Sequence, residues 1–330
     1  MAVLPEMTIV TVTDLESFLG EKRLMEKAAA QEKIFSDQLE RVARRAADPC
    51  ITAVLISGPS ASGKTTTTHR LEDLLTSLGR QPLVLSLDDY YASSAVDYDD
   101  EGRPDFESIS TLAIDLIVHD IAALLRGEEV HIPTFDFKTR SRRYEDNKCR
   151  QLADDGILLI EGLHALAPEI GGSLSPEQCL SIFLMPYGAL HRDQQLLNYR
   201  DIRILRRVSR DVTHRGSTAL STIDYWPMMD RTEQAIFPPY LASADIMINT
   251  VLPYEFLIVA PLAAAAIRES LRKYEQGTLP GSAYHKDKSS YANLPLALSE
   301  ARRLEEAVLY IPAAPPVFVP PTSILHEFIS

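Results

Sequence analysis

Residues 51–66 read ITAVLISGPSASGKTT, and the fold class can be inferred from this segment. Residues 51–58 are a β-branched, apolar run that predicts a buried strand. Residues 58–65 match the pattern G-x-x-x-x-G-K-[ST], in which small residues let consecutive backbone N–H groups wrap a phosphate at a helix N-terminus. In this pattern Lys64 reaches the outer phosphates and the Thr65 hydroxyl binds Mg²⁺. The stretch therefore predicts a phosphate-binding loop between a strand and a helix.

Apolar strands and helices alternate on both sides of this loop. We predict further strands at residues 82–88, 156–162 and 244–250. Helices are predicted from three- and four-residue apolar spacing and end signals at residues 21–47, 65–79, 108–126, 191–215, 262–276 and 294–309. This alternation predicts a P-loop NTPase fold with three αβα layers, in which helices cover both faces of a parallel sheet. The proline-rich residues 311–321 are expected to be extended.

The composition is that of a globular protein and excludes several function classes. The chain has 330 residues, 45% hydrophobic and 24% charged, with a formal net charge of −13. Such an acidic chain is unsuited to binding nucleic acid or anionic membranes, which requires a basic surface. The three cysteines, Cys50, Cys149 and Cys179, lack CxxC spacing and predict neither a zinc site nor disulfides. The longest apolar run, residues 256–267, is too short for a membrane span, so we expect a cytoplasmic protein.

Three acidic residues follow or end the predicted strands. Asp88 and Asp89 lie at the end of the second strand, and Glu161 lies at the end of the third. Ligands of open parallel sheets bind at this edge, where a carboxylate can accept a proton from a hydroxyl or help to hold Mg²⁺. An Asp pair that caps a turn and an exposed acid at a strand end are the alternatives.

An arginine-rich segment lies in the predicted helix 191–215. Its arginines within thirteen residues are Arg203, Arg206, Arg207, Arg210 and Arg215. The first, third and fourth of them share one helical face. Such a face either neutralises charge on a transferring phosphoryl group or is solvated and paired with Asp201 and Asp211.

Several segments agree in order with the uridine kinase family, within the group that also holds phosphoribulokinase and pantothenate kinase. They are GPSASGKTT (58–66), SLDDYY (86–91), IPTFDFKTRSR (132–142), ILLIEGLHAL (157–166) and RILRRVSRDVTHRG (203–216). The chain resembles this family over residues 51–255. Residues 223–256 and 320–329 resemble the long-form bacterial uridine kinase-like proteins. The N-terminal domain of that group, which is similar to part of threonyl-tRNA synthetase, is expected to be absent, because only residues 1–50 precede the first strand.

The resemblance implies transfer of the γ-phosphoryl group of ATP to a primary hydroxyl, with ATP and Mg²⁺ as cofactors. It implies Asp88 as the base, and Lys64, Arg207 and Arg210 as further catalytic residues. The implied nucleotide-binding residues are Gly58, Pro59, Ser60, Ala61, Ser62, Gly63, Lys64, Thr65, Thr66 and Arg215. The implied metal-binding residues are Thr65, Asp88 and Glu161, and the implied substrate-binding residues are Asp88, Tyr91, Phe106, Phe135 and Arg140.

The departures from the short uridine-cytidine kinases lie on the substrate side. Phe135 and Arg140 stand where those enzymes have the Tyr and His that help to recognise the pyrimidine. Ser217 follows Arg215-Gly216 in place of an arginine, and Tyr225 stands at the position of a glutamine. A site built to hydrogen-bond one ligand discriminates against others, so these changes put uridine itself in question. Arg140 and the arginines after it either face an anionic acceptor, such as a sugar phosphate, or form a solvated loop.

We therefore expect a kinase that phosphorylates a small molecule, most simply the 5′-hydroxyl of a nucleoside. A GTP-dependent switch lacks its guanine-reading signature, because the Asn147-Lys148 pair is followed by Cys149-Arg150. A nucleotide-binding regulatory protein without catalysis is the remaining alternative. We divide the chain into an N-terminal extension (1–50), a P-loop kinase domain (51–260) and a C-terminal helical extension with a proline-rich tail (261–330). Neither a nucleic-acid nor a membrane partner is expected, and a homo-oligomer is left open.

Overall fold

The computed structural model describes residues 5–92, 96–136, 139, 141–172 and 174–329. Arg140, one of the predicted substrate-binding residues, lies outside the described residues. The strands are β1 Thr8–Thr11, β2 Ala53–Ser57, β3 Gln81–Ser86, β4 Val130–Asp136, β5 Ser141–Arg150, β6 Gly156–Glu161, β7 Cys179–Met185, β8 Gly188–His191, β9 Gln195–Leu197 and β10 Ile246–Asn249. The α-helices are α1 Val12–Ser17, α2 Glu21–Ala46, α3 Lys64–Ser77, α4 Ile114–Leu125, α5 Pro168–Gly171, α6 Tyr199–His214, α7 Ala219–Ser243, α8 Val259–Glu275, α9 Leu294–Val308 and α10 His326–Ile329.

The central sheet has five parallel strands in the order β10-β7-β2-β6-β3. All five residues of β2 are buried, because helices cover both faces of the sheet. Val54 and Ile56 contribute to one hydrophobic core with α2, α3 and α6, whereas Ala53 and Leu55 contribute to a second core with α4 and α5. The predicted three-layer α/β fold is confirmed. Since the strands are parallel, the loops that follow β2 and β3 and the end of β6 meet at one edge of the sheet.

Two smaller sheets lie outside the central one. The hairpin β4–β5 is antiparallel, and β1 pairs in parallel with β8, which pairs with β9. Side chains from α2, α8, α9 and the C-terminal segment join the first hydrophobic core. Within the part of the chain that the structure describes, none of the helices combines the length and the apolar character that crossing a membrane requires.

The apolar strands and several helices agree with the sequence-based boundaries to within about two or three residues, but three assignments were wrong. The predicted helix 191–215 begins only at Tyr199, because Asn198 caps it by accepting the N–H groups of Arg200 and Asp201. The residues before this cap form β8 and β9 instead. The predicted helix 108–126 is divided into a 3₁₀ turn, Ile109–Thr111, and α4. The tail 311–321, expected to be extended, contains a 3₁₀ turn at Pro316–Phe318.

Several elements of the fold were not predicted from the sequence. The 25-residue helix α7 contains Pro227, Pro238 and Pro239, and proline in a helix interior removes a backbone hydrogen bond. Packing of its buried side chains, including Trp226, outweighs this cost. Strands β4 and β5 were missed because β5 is mostly charged and exposed on both faces.

Candidate active site

The phosphate-binding loop has the backbone geometry that its small residues allow. A Cβ on Gly58 would lie 2.2 Å from the carbonyl oxygen of Leu184, so no larger residue fits there. Gly63, the residue before α3, has φ +85°, which favours glycine. Lys64 lies at the start of α3, and its Nζ donates to the carbonyl oxygens of Gly58 and Pro59, both at 3.0 Å. The Lys64 side chain therefore folds back over the phosphate-binding loop.

Three arginines of α6 hold this loop from the other side. Arg203 Nε donates to the carbonyl oxygen of Ser60 at 3.2 Å, and Arg206 Nη1 donates to that of Ala61 at 3.2 Å. Arg207 Nη1 donates to the hydroxyl of Ser60 at 2.9 Å. Because each guanidinium has several donors in a fixed plane, it can bind the loop and an acid together.

The same arginines form buried ion pairs, so the expectation of a solvated face was wrong, whereas the pairing with Asp211 is found for Arg207 and Arg210. Arg203 pairs with Glu233, with Nη1 at 2.8 Å from Oε2, and Arg206 pairs with Glu255 at 2.6 Å. The exposure of Arg203, Arg206 and Arg207 is 3% or less. Arg203 and Arg206 are thus structural supports of the loop, while Arg207 lies between the loop and the cleft.

A second group of cations surrounds Asp211. Arg207 and Arg210 contact its carboxylate at 3.2 and 2.9 Å, Arg215 lies 3.6 Å from it, and the Tyr284 hydroxyl donates to it at 2.8 Å. Burial alone raises the pKa of Asp211, but the three arginines and the tyrosine outweigh burial and lower the pKa to about 2. The permanently charged Asp211 keeps the arginines together at the edge of the cleft.

Asp88 and Asp89 have different positions in the 3₁₀ turn that follows β3. Asp88 faces the open cleft and is accessible to solvent. Asp89 instead accepts the N–H of Phe135 at 3.2 Å and pairs with Lys148 at 3.4 Å, which fixes the β4–β5 hairpin. The protein around Asp88 raises its pKa by desolvation, against the lowering effects of Lys64 and Arg215. Asp88, rather than Asp89, is therefore placed to react with a ligand in the cleft.

Glu161 ends β6 and lies beside β3. It accepts the hydroxyl of Ser86 at 2.6 Å and is only 5% exposed. Burial raises the pKa of Glu161 to about 7, and the charge of Asp88 acts in the same direction, while Lys64 and Ser86 act in the opposite direction. Two carboxylates that each disfavour the charge of the other are suited to binding a cation.

A cavity of about 940 Å³ lies between the phosphate-binding loop, the 3₁₀ turn after β3 and the arginines at the end of α6. The structure brings together the predicted residues Ser60, Ala61, Ser62, Gly63, Lys64, Thr65, Asp88, Tyr91, Phe106, Phe135, Glu161, Arg207, Arg210 and Arg215. Pro59 contributes its carbonyl to Lys64, and Gly58 allows the close approach of β7. The backbone N–H of Thr66 is held by a carboxylate of the protein itself, that of Glu327, at 2.7 Å.

Aromatic side chains form the wall of the cavity near Asp88. The rings of Tyr91 and Phe135 lie 5.3 Å apart, and those of Phe106 and Tyr225 lie 6.2 Å apart. Burial raises the pKa of Tyr91 well above its usual range, so its hydroxyl stays protonated. This hydroxyl donates to the carbonyl oxygen of Phe106 at 3.4 Å. This wall suits a flat ring with polar substituents.

Sequence reasoning missed several residues of the cavity. Glu107 contacts Arg207 at 3.3 Å and also lines the cavity. Tyr284 stacks on Tyr225 with ring centroids 4.7 Å apart, and Glu327 reaches the phosphate-binding loop from α10. Glu107 follows Phe106 directly and could have been found from that neighbour. Tyr284 and Glu327 belong to the C-terminal extension, where the sequence carries no signal of their positions.

A parallel sheet with a phosphate-binding loop, two acids at the same edge and arginines across the cleft defines a P-loop phosphotransferase. The model of the phosphoribulokinase/uridine kinase family matches residues 53–255 of this chain. The chain therefore belongs to the phosphoribulokinase/uridine kinase family, and it is a uridine kinase-like phosphotransferase that acts on a hydroxyl group.

The relatives of the chain are similar at modest identity. A uridine kinase of Staphylococcus epidermidis is 28% identical over 201 residues, which cover 60% of this chain and 86% of that protein. A uridine kinase of Pasteurella multocida is 25% identical over 232 residues, covering 68% and 97%. Among solved structures, a possible uridine kinase from Bacillus stearothermophilus is 18% identical, with a TM-score of 0.40 and coverage of 60% and 88%.

Proposed function

We propose that this protein transfers the γ-phosphoryl group of ATP to the 5′-hydroxyl of a nucleoside. The observation that carries the proposal is one cavity lined both by Lys64, from the phosphate-binding loop, and by Asp88, from the 3₁₀ turn that follows β3. In the proposed arrangement the triphosphate binds at the loop and the acceptor binds against the aromatic wall. Residues 51–260 would form the kinase unit, with residues 261–330 completing its walls.

Asp88 is proposed to accept the proton of the acceptor hydroxyl. Its pKa is raised above the usual value of an aspartate, which makes it a stronger base, while Lys64 and Arg215 favour its charged form. A carboxylate held opposite the phosphate-binding loop can thus orient the hydroxyl and take up its proton as the oxygen attacks. Phosphoryl transfer depends mainly on this positioning and on neutralisation of charge.

The donor set fits a magnesium ion held jointly with the phosphates of the nucleotide. Thr65, Asp88 and Glu161 offer a hydroxyl and two carboxylates, all of them oxygen donors. Among the residues that the structure describes, no three His, Cys, Asp or Glu side chains are grouped to hold a metal by themselves. Mg²⁺ usually binds through one or two carboxylates, water and substrate phosphates, so this small set suits it. When bound, the ion would neutralise charge on the transferring phosphoryl group.

Arg207, Arg210 and Arg215 are proposed to stabilise the charge of the transferring group. Asp211 holds all three at the edge of the cavity, and Arg207 also spans from Ser60 of the loop to Glu107 of the acceptor side. Since the guanidinium groups are already in place, little reorganisation is needed when charge develops.

The residues that line the cavity indicate which acceptor receives the phosphoryl group. The aromatic wall of Tyr91, Phe106 and Phe135 supports a heterocyclic ring, as do the uridine kinases among the relatives. A sugar phosphate is the second candidate, because Arg143 also lines the cavity and its guanidinium could bind the phosphate group of such an acceptor. Arg143 contacts Glu145 at 3.0 Å, so an anionic acceptor would compete with that carboxylate.

The test is an ADP-release screen with Mg²⁺ and ATP over nucleosides, sugar phosphates and pantothenate. We expect release with uridine or cytidine and none from Lys64→Ala, which lacks the cation of the loop. Mass spectrometry of the product would identify a nucleoside 5′-monophosphate. Turnover of a sugar phosphate alone would favour the second candidate, and no release with any nucleoside would refute the first.

A further inference from the structure

The C-terminal segment, residues 320–329, is docked beside the phosphate-binding loop. Ile324, Leu325 and Phe328 are fully buried. The carbonyl oxygen of Phe328 accepts the hydroxyl of Ser209 from α6 at 2.6 Å. The guanidinium of Arg206 lies 5.1 Å from the centre of the Phe328 ring. The segment is thus fixed by its apolar side chains and by α6.

This docking brings a negative charge to the loop itself. Glu327 Oε1 accepts the backbone N–H of Thr66 at 2.7 Å, and Glu327 lines the same cavity as Lys64. The charge of Glu327 also contributes to raising the pKa of Glu161. Side-chain atoms of Ile324 lie within 3.0–3.3 Å of the position that a Cβ of Gly63 would occupy, so the segment follows the loop closely.

Thr66 N–H is one of the first backbone donors of α3, and such donors have no partner within the helix. The helix N-terminus attracts anions, and in a phosphate-binding loop these donors bind phosphate oxygens. A carboxylate already bound there occupies the donor that a phosphate would use. A second anion brought beside Glu327 would also be repelled by its charge.

We propose that Glu327 belongs to the nucleotide site and acts as an internal anion that a nucleotide phosphate must displace from Thr66 N–H. The apolar anchors keep the segment in place, so that only the end of one side chain needs to move. Nucleotide binding is then opposed by the C-terminal segment, and any event that withdraws the segment strengthens nucleotide binding. This inference rests on the ATP-dependent part of the proposed function and is independent of the acceptor.

The test compares ADP binding by the wild type, Glu327→Gln and Glu72→Gln, measured by isothermal titration calorimetry with Mg²⁺ at low and high salt. The amide that replaces the carboxylate in Glu327→Gln keeps an oxygen for Thr66 N–H but loses the charge. The control removes the same charge from a partly exposed position of α3, where the Glu72 carboxylate contacts His69. We expect Glu327→Gln to bind ADP about tenfold more tightly at low salt, within the range of effects at helix termini, and Glu72→Gln to bind within about twofold of the wild type.

Hydrogen–deuterium exchange gives a second measurement that does not depend on affinity. Because only the Glu327 side chain moves, addition of ADP to the wild type should leave exchange unchanged in peptides that cover residues 320–329, and faster exchange there would overturn the proposal that the anchored segment stays docked. Equal or weaker ADP binding by Glu327→Gln would overturn the proposal while leaving the kinase assignment intact. If neither the wild type nor Glu327→Gln bound ADP or inorganic pyrophosphate, both the internal anion and the ATP-dependent function would be refuted.

Discussion

The buried pair of Arg206 and Glu255 offers a direct test of how the loop is supported. We predict that Glu255→Gln destabilises the protein by about 3–5 kcal/mol, because it leaves the charge of Arg206 buried without a counter-ion. The two side chains are 0% and 2% exposed and are joined by hydrogen bonds of 2.6 and 2.9 Å. Arg206 would retain neutral acceptors, the carbonyl oxygens of Ala61 and Thr250.

Urea unfolding followed by circular dichroism would measure the change in the free energy of unfolding. The matched control is Glu128→Gln, which breaks a contact of 2.6 Å with Arg126 in which both side chains are more than half exposed. We expect that control to stay within about 0.5 kcal/mol of the wild type, because exposed pairs contribute little.

A double variant separates the charge from the packing. Arg206→Met combined with Glu255→Leu removes both charges and keeps similar volumes, so it should be more stable than Glu255→Gln alone. A cost below about 1 kcal/mol for Glu255→Gln, or a double variant no more stable than the single one, would refute the description of this pair as a buried charge pair that supports the loop.

Three further predictions concern the loop, Glu161 and the arginine cluster. Gly58→Ala should abolish ADP binding in a titration and lower stability by about 1–3 kcal/mol, since its Cβ would lie 2.2 Å from a carbonyl oxygen of β7; normal binding would contradict the loop geometry. The pKa of Glu161 is raised from 4.5 to about 7, so between these pH values the carboxyl is protonated in the folded state and ionised in the unfolded state. The free energy of unfolding, measured in urea, should therefore fall from pH 5 to pH 8 by up to about 3 kcal/mol more in the wild type than in Glu161→Gln. Parallel pH profiles of the two proteins would contradict this. Tyr284→Phe removes the hydroxyl that donates to Asp211 and should raise the pKa of that carboxyl in a carbon-13 NMR titration, an expectation that an unchanged pKa would refute.

The fold could be predicted from the sequence wherever a local pattern was sufficient. The apolar runs around β2, β3 and β6 predict strands, of which β2 and β6 are buried throughout, and the pattern at residues 58–65 predicts the loop. Helix α7 could not be predicted, because its three prolines argue against a helix locally and only burial of its side chains stabilises it. The mostly charged β5 gives no strand pattern, since it depends on pairing with β4.

The candidate site likewise contains residues that the sequence predicts and residues that it does not. Lys64, Asp88 and Glu161 follow from one motif and from the rule that the ends of parallel strands meet at one edge. Tyr284 and Glu327 lie far along the chain from the loop and reach the cavity only through packing of the C-terminal extension on α6 and α7. No local pattern encodes such a contact, and a structure is needed to find it.

The role of Asp88 as the base can be tested directly with Asp88→Asn, assayed with ATP, Mg²⁺ and the acceptor that the screen identifies. We predict that ADP binds to this variant within about twofold of the wild type, while the rate of phosphoryl transfer falls by about 10²–10⁴-fold, because a positioned base contributes that much. Unchanged turnover would contradict the claim that Asp88 receives the proton of the acceptor opposite the phosphate-binding loop.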